Sequence, residues 1–148
     1  ALAAVAFLQI IAVAVEPLLE GWFGAGRDLG RFDDVRGSLP ALLGVLALSW
    51  TFAAFGEEIA FRIVLLRGLR SVLGDSMTAS VVAVLIQALI FGLVHLYQGP
   101  AGVVSATISG LAYGTITIIA RGALWPAALA HGLNNTIGLL ISVSCVVS

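Results

Sequence analysis

Long apolar runs recur along the whole chain, and they constrain its fold more than any other feature. Hydrophobic residues make up 60% of the sequence and charged residues only 10%. A backbone inside lipid must satisfy its own hydrogen bonds, so runs of this kind predict membrane-spanning helices. The 148 residues suffice for about five helices of the ~20 residues that cross a hydrocarbon core of ~30 Å. We therefore predict an all-α, polytopic transmembrane helix bundle, with residues 1–148 forming a single membrane domain.

Turn-forming and polar residues divide the chain into five predicted helices. They cover approximately residues 1–23, 38–70, 77–97, 103–119 and 124–148, and a polar loop occupies 27–37. Ser38 and Pro40 suit the N-cap and first turn of the second helix. This helix has more residues than a bilayer requires, so it must tilt or emerge into the interface. Small residues at Ser105, Ser109, Gly110 and Gly114 predict close packing of the fourth helix.

Charge and composition narrow the possible functions. Seven basic and eight acidic residues, with no basic cluster, give no reason to expect nucleic-acid binding. The opening run Ala1–Val15 lacks a basic region and a small-residue cleavage site, so we expect a helix of a trimmed domain and not a signal peptide. The single cysteine, Cys145, excludes an internal disulfide. Arginines divide evenly between the two predicted sides, which leaves the membrane orientation open.

An adjacent acidic pair, Glu57-Glu58, interrupts the second apolar segment. Ionisable side chains at membrane depth are costly and indicate a functional site by default. Glu58 and Arg62 are four residues apart on one helical face, where they can form an ion pair that braces the helix. Glu57 points about 100° away from Glu58 and has no partner on its own helix. Glu57 is therefore the better candidate for a group that accepts protons.

Further polar residues lie in the third and fifth predicted helices. Phe91 precedes His95 by one turn, and His131 precedes Asn135 by one turn. These are the only two histidines, and both are predicted to lie inside apolar helices. A lone membrane histidine more often packs or forms structural hydrogen bonds, and Phe91 is predicted to shape the cavity by packing. Asn134 suits a contact between helices, although the roles of Asn134 and Asn135 could be exchanged.

A count of helix rise does not place these residues at one depth. Counted at about 1.5 Å per residue from the side that carries Arg70 and Arg121, Glu57 and His131 lie at about 15 to 20 Å and His95 nearer 30 Å. Tilt of the second helix, or an interfacial segment at 71–76, would be needed to bring the three side chains together.

The order and spacing of these residues resemble a known motif series. The motifs Glu57-Glu58-x-x-x-Arg62, Phe91-x-x-x-His95 and His131-x-x-x-Asn135 resemble those of the CAAX protease and bacteriocin-processing family of membrane endopeptidases. The likeness covers residues 38–140 and includes the approach to the last motif, Gly122–His131. Each motif alone is weak, but their order, spacing and placement in apolar helices together are specific.

The resemblance implies a glutamate-type intramembrane protease related to the type II CAAX prenyl endopeptidases. In such an enzyme Glu57 and His95 would activate a water that attacks the scissile carbonyl, while His131 and Asn135 would form the oxyanion site. Glu58, Arg62 and Phe91 would support these groups, and no cofactor is implied. The expected partners are the lipid bilayer and a peptide or lipidated protein, of which a prenylated CAAX protein is one candidate. The expected location is the cell membrane of a prokaryote.

Three alternatives remain open on the sequence. Two histidines and two carboxylates could bind zinc, although the chain has no His-Glu-x-x-His motif, so we expect no metal. A non-catalytic membrane scaffold or bacteriocin self-immunity factor would keep the helix bundle and would not require Glu57. A proton-coupled transporter also uses intramembrane glutamate and histidine, but the chain lacks a matching pair of interrupted helices.

Overall fold

A computed structural model describes residues 1–28, 30, 35 and 37–144. Within these ranges the chain forms five helices and no strands, which confirms the predicted all-α class. The helices are α1 (Leu2–Phe23), α2 (Leu39–Leu73), α3 (Met77–Leu93), α4 (Gly99–Ile119) and α5 (Trp125–Ser144). A short 3₁₀ helix, Leu96–Gln98, connects α3 to α4. The polar loop predicted at 27–37 lies only partly within the described residues, and Cys145 lies outside them.

The helices carry the apolar surface of a membrane protein. Three stretches of the described chain are long and apolar enough to cross a membrane, namely Leu2–Phe23, Leu39–Leu73 and Leu96–Ile119, and Met77–Leu93 is a shorter apolar helix. Large hydrophobic side chains are exposed on their outer faces, among them Ile10, Phe52, Val64, Leu89 and Ile119. Exposed apolar surface on this scale suits lipid as the surrounding solvent. The protein is an integral membrane protein with a helical bundle.

Serine side chains begin two of the helices. The backbone N–H of Ala41 donates to Ser38 Oγ at 3.3 Å, and the N–H of Ala79 donates to Ser76 Oγ at 3.0 Å. Each serine satisfies a donor that the first helical turn leaves without an intrahelical partner. The N-cap predicted at Ser38 is confirmed.

The boundary between α3 and α4 differs from the predicted one. The third helix was expected to reach Tyr97 and the fourth to begin at Val103, but α3 ends at Leu93 and α4 begins at Gly99. Gly99 has a φ of 77°, a left-handed conformation that lets the chain reverse within a few residues. Pro100 then occupies the first turn of α4, where its missing N–H costs nothing. Pro100, which lies between the predicted third and fourth helices, therefore belongs to the first turn of the fourth.

The second helix is continuous over 35 residues, as its apolar length predicts. Its middle part, Ser49–Glu57 and Ile59–Leu66, is π-helical, with backbone hydrogen bonds that skip one residue more than in an α-helix. Such turns are rare and occur frequently at functional sites. The acidic pair lies at the junction of the two π-helical stretches.

Helices α3 and α4 pack with their backbones nearly in contact. A Cβ atom on Gly110 would lie 3.0 Å from the Cα of Ala88, and one on Gly92 would lie 2.8 Å from the carbonyl oxygen of Val103. The close packing predicted for the fourth helix is therefore present, because glycine lets the two backbones approach.

The first helix closes the other side of the bundle against α4 and α5. Val5 and Leu8 are buried together with Tyr113 of α4 and with Ala127 and Ala130 of α5. This cluster places α1 directly beside the polar residues of α5.

Candidate active site

Glu58 lies at the centre of the buried polar cluster. Its Oε2 is 2.9 Å from Arg62 Nε, so the ion pair expected from their spacing is present. Its Oε1 is 2.9 Å from Nδ1 of His131 on α5, a contact that spacing within α2 could not predict. The Glu58 and Arg62 side chains are both fully buried. Glu58 therefore joins two helices and holds one ring of the predicted site.

Aromatic rings surround the Arg62 guanidinium. Its Cζ atom lies 4.8 Å from the ring centroid of Phe91 and 5.4 Å from that of Tyr113. Cation–π contacts of this kind offset part of the cost of burying a charge. Phe91 is itself buried and lies 4.7 Å from the His95 ring, centroid to centroid. The aromatic side chains thus pack between the ion pair and the first histidine.

Glu57 faces both histidines. Its Oε2 lies 4.0 Å from His95 Nε2 and 4.0 Å from His131 Nε2. These distances exceed a direct hydrogen bond but suit a single intervening water. Oε2 is buried and has no hydrogen-bond partner among the described residues, although the whole side chain is 32% exposed.

His95 lies just beyond the end of α3 and not inside a helix as predicted. The chain turns after Leu93, and the His95 side chain bonds back onto the end of its own helix. Its Nδ1 lies 2.7 Å from the carbonyl oxygen of Phe91. Because a carbonyl only accepts, Nδ1 carries the hydrogen, and in the neutral ring this leaves the lone pair of Nε2 on the side of Glu57.

His131 is held differently from His95. Its Nδ1 donates to the Glu58 carboxylate, and its ring stacks on Tyr113 with centroids 4.9 Å apart and an interplanar angle of 19°. Tyr113 is buried and was not singled out from the sequence. The sequence feature that could have identified Tyr113 as a site residue is its position as an aromatic residue among the small residues of the fourth helix.

The two adjacent asparagines have different partners. Asn134 Oδ1 accepts a hydrogen bond of 2.8 Å from Nε2 of Gln9 on α1, while Asn135 Nδ2 donates to Ser49 Oγ at 3.4 Å. Asn134 thus makes the contact between helices that was expected of it. Gln9 was not predicted as a site residue, although a polar residue inside the first apolar run was a usable signal.

A small cavity lies beside the two histidines and the two asparagines. It has a volume of about 70 Å³, room for a few water molecules. Both histidines and both asparagines line it, together with Arg27, Gln98, Ser109 and Tyr113. Across residues 1–28, 30, 35 and 37–144, no group of three or more His, Cys, Asp or Glu side chains is arranged to hold a metal ion.

The hairpin of α2 and α3 explains why the depth count was wrong for His95. Arg67 Nη2 donates to the carbonyl oxygen of Gly122 at 2.7 Å, so the α4–α5 turn lies level with Arg67. Helix α2 continues past Arg67, away from Glu57, before the chain turns into α3. The first residue of α3 therefore lies farther from the level of Glu57 than the count assumed. The count therefore overstated the depth of His95 by the length of this descent, and the 4.0 Å distances from Glu57 to the two rings place the three side chains at one level.

The fold and the site define an integral membrane protein in which Glu57 of α2, His95 of the turn after α3 and His131 of α5 come together beside a small polar cavity. The family model described as Type II CAAX prenyl endopeptidase Rce1-like matches residues 39–137, more than half of the chain. The chain therefore belongs to the Rce1-like type II CAAX prenyl endopeptidases, a protease family, which confirms the family resemblance of its motifs. None of the curated proteins matches the chain. None of the solved structures matches it.

Proposed function

We propose that the protein is an intramembrane endopeptidase that hydrolyses a peptide bond of a membrane-associated substrate without a metal ion. A prenylated CAAX-type protein is the substrate class that the family suggests, and a prokaryotic cell membrane is the proposed location. The observation that carries the proposal is the pair of equal distances, 4.0 Å, from Glu57 Oε2 to the Nε2 atoms of His95 and His131.

A water between Glu57 and His95 is well suited to act as the nucleophile. A water about 2.8 Å from both Glu57 Oε2 and His95 Nε2 subtends an angle of about 90° between them, near the angle between its two O–H bonds. Both neighbours are acceptors, so both hydrogens of the water are donated to the protein. Its lone pairs then point away from the two side chains, toward a substrate carbonyl. One proton passes to Glu57 or His95 as the new C–O bond forms.

The partners of the two histidines support different roles for their rings. His95 donates Nδ1–H to a neutral carbonyl, so its Nε2 is an acceptor that suits a water. The Nδ1 atom of His131 is held by the Glu58 carboxylate, so its Nε2 is the ring nitrogen that faces the site. When this nitrogen carries a hydrogen, it can donate to an oxyanion. We therefore assign the water to His95 and the oxyanion to His131.

Asn135 is the proposed second donor to the oxyanion. Its hydrogen bond to Ser49 Oγ is long at 3.4 Å, so the amide can leave this neutral oxygen and donate to the negatively charged oxygen of the intermediate instead. One well-placed donor to an oxyanion contributes about 3 kcal/mol to the stability of the transition state. The tetrahedral intermediate then collapses when the leaving amine takes up the proton held by Glu57 or His95.

The test is cleavage of a fluorogenic CAAX peptide, farnesylated and unmodified, by the purified protein in detergent. We expect Glu57→Gln to abolish cleavage while the protein still folds and expresses, because the exchange removes the proton acceptor and keeps the shape. Glu20→Gln is the matched control, since Glu20 is exposed on α1 and should leave cleavage unchanged.

Two outcomes would contradict the proposal. Loss of cleavage in a chelator would show that a metal is required. Retention of full biological function by Glu57→Gln, with no cleavage of either peptide by the unaltered protein, would support a scaffold or immunity factor instead.

A further inference from the structure

Tyr113 of α4 lies against a ring of the candidate active site, although none of the three sequence motifs includes it. Its ring stacks on His131 with centroids 4.9 Å apart and an interplanar angle of 19°. The proposed role of His131 is to donate a hydrogen bond from Nε2 to an oxyanion, and such a donor acts best when its direction is fixed before the reaction. The group that fixes the plane of this ring therefore bears directly on the proposed reaction.

The hydrogen bond to Glu58 fixes only part of the orientation of His131. It holds Nδ1 at 2.9 Å from the carboxylate oxygen. The last torsion of a histidine side chain has a broad energy well, and a hydrogen bond tolerates about 30° of misalignment, so the ring can still tilt about this bond. A flat contact with a second ring opposes the tilt, because tilting would press the edge of the imidazole into the phenol ring. Together the two contacts define both the position and the plane of the His131 ring.

Tyr113 is packed tightly enough to serve as this second ring. It is only 1% exposed. It belongs to a buried apolar cluster that joins α4 to α1 and α5, whose other members are Val5, Leu8, Ala127 and Ala130. The Cζ atom of Arg62 on α2 lies 5.4 Å from its ring centroid. Because side chains of three other helices pack around the phenol ring, it has little room to move aside when His131 tilts.

The rings beside the other histidine are arranged differently. Phe91 and Tyr97 lie 4.7 and 5.7 Å from the His95 ring, centroid to centroid, with interplanar angles of 43° and 32°. The contact of Tyr113 with His131 is therefore the flatter one, at 19°. This difference matches the proposed roles, since a water can reorient to meet His95 whereas a donor to an oxyanion has to point in one direction.

The ring of Tyr113, and not its hydroxyl, makes the contact with His131. The hydroxyl is buried beside Ser109 of its own helix and makes no hydrogen bond of ordinary geometry within the described residues. Phenylalanine would keep the stacked ring and lose only this hydroxyl, whereas leucine would keep apolar bulk and lose the flat surface. The two exchanges therefore separate the ring from the rest of the side chain.

We infer that Tyr113 is a positioning residue that fixes the plane of the His131 ring and so directs Nε2 toward the oxyanion. The inference rests on the proposed function, because that function gives His131 its role. It adds α4 to the helices whose side chains set the geometry of the reaction.

The experiment measures kcat and KM for cleavage of the CAAX peptide by the purified full chain carrying Tyr113→Phe or Tyr113→Leu. Tyr113→Phe should keep kcat within about threefold of the unaltered protein, because the stacked ring remains. Tyr113→Leu should lower kcat by about tenfold or more, a part of the roughly 100- to 1,000-fold that one oxyanion donor contributes. KM should change by less than about threefold in both, since the contact acts on the transition state and not on substrate binding.

Leu66→Ala is the matched control for a general loss of stability. Leu66 is buried in a separate cluster with Ala83 and Val84. This exchange should lower the unfolding temperature at least as much as Tyr113→Leu and leave kcat within about twofold.

A double-mutant cycle shows whether Tyr113 acts through His131 or through its contact with Arg62. His131→Gln alone should lower kcat about a hundredfold. Adding Tyr113→Leu to that variant should lower kcat no further, because the ring that Tyr113 orients is already gone.

The inference fails in any of three ways while the proposed function stands. Equal losses of kcat in Tyr113→Phe and Tyr113→Leu would give the role to the hydroxyl. A loss in Leu66→Ala as large as that in Tyr113→Leu would reduce the effect to stability. Losses that multiply in the cycle would show that Tyr113 acts independently of His131. Absence of cleavage by the unaltered protein would instead remove the proposed function, and with it the role of His131 on which the inference depends.

Discussion

The two glutamates of the acidic pair are neighbours in sequence and have opposite surroundings. Glu58 is fully buried, and its two carboxylate oxygens lie 2.9 Å from Arg62 Nε and 2.9 Å from His131 Nδ1. Glu57 is partly exposed and faces two ring nitrogens that are too far away for a direct bond. One carboxylate is therefore structural and the other has an oxygen left for chemistry. This division arises because adjacent residues of a helix point in different directions, so Glu57 faces the two ring nitrogens and Glu58 faces Arg62.

At the residue scale, Arg62→Leu should destabilise the protein far more than Glu57→Gln. The exchange leaves the buried Glu58 carboxylate without its cation, and breaking a buried pair in this way costs about 3 to 5 kcal/mol. Thermal unfolding of both variants in one detergent measures the difference. The double variant Glu58→Gln, Arg62→Leu should recover part of the loss, because no uncompensated charge remains. Equal unfolding temperatures for Arg62→Leu and Glu57→Gln would contradict this account.

The sequence predicted contacts within one helix and missed those between helices. The spacing of Glu58 and Arg62 was sufficient to predict their ion pair, because both side chains lie on α2. The bond from Glu58 to His131 depends on how α2 packs against α5, which no local pattern encodes. Tyr113 was missed for the same reason, since its stacking on His131 is a contact between α4 and α5.

At the scale of elements, α3 ends earlier than predicted, and this places His95 in the turn that follows the helix. Inside a longer helix the His95 backbone would be fixed, whereas in the turn its side chain can bond to the carbonyl oxygen of Phe91. The sequence predicted the helix and misplaced its end, because an apolar pattern continues through Leu96 and Tyr97. The helix instead ends at Leu93, and the left-handed Gly99 ends the short 3₁₀ helix that follows it.

Gly92→Ala should therefore reduce both stability and cleavage. An added Cβ would meet the Thr107 side chain and the carbonyl oxygen of Val103, which would push α4 away from the helix that precedes His95. Overpacking of this kind costs about 1 to 3 kcal/mol. Gly44→Ala is the matched control, because a Cβ on Gly44 of α2 meets nothing within 4 Å. The measurement is unfolding temperature and kcat for both variants, and similar values for the two would refute the packing argument.

At the scale of the whole molecule, α1 completes a site that the family motifs place on the other helices. It lies outside residues 39–137, yet Val5 and Leu8 are buried against α4 and α5, and Gln9 holds Asn134. Composition was sufficient to predict a bundle of membrane helices. It could not predict this arrangement, because helices that are apolar on every side show no preferred neighbour. The prediction of the relative depths of Glu57, His95 and His131 was wrong for a related reason. Counting residues along each helix does not say at what level in the bundle that helix begins.

A double-mutant cycle tests whether α1 acts through Asn134. Gln9→Leu removes the donor to Asn134 Oδ1 and should lower cleavage severalfold while the protein remains folded. If the effect passes through the asparagine, the double variant Gln9→Leu, Asn134→Ala should be no slower than Asn134→Ala alone. Losses that simply multiply would show that Gln9 and Asn134 act independently. Gln9→Glu, which keeps the length of the side chain but not the donor, is the control for packing.

The shortness of α3 has a consequence for how water reaches the proposed active site. Its 17 residues rise about 26 Å, several Å less than a typical hydrocarbon core. A bilayer adjusts to a short apolar helix by thinning around it, and α2 beside it is long enough to tolerate the change by tilting. Because His95 follows the end of this short helix, we expect local thinning of the bilayer to bring water toward the proposed nucleophile position.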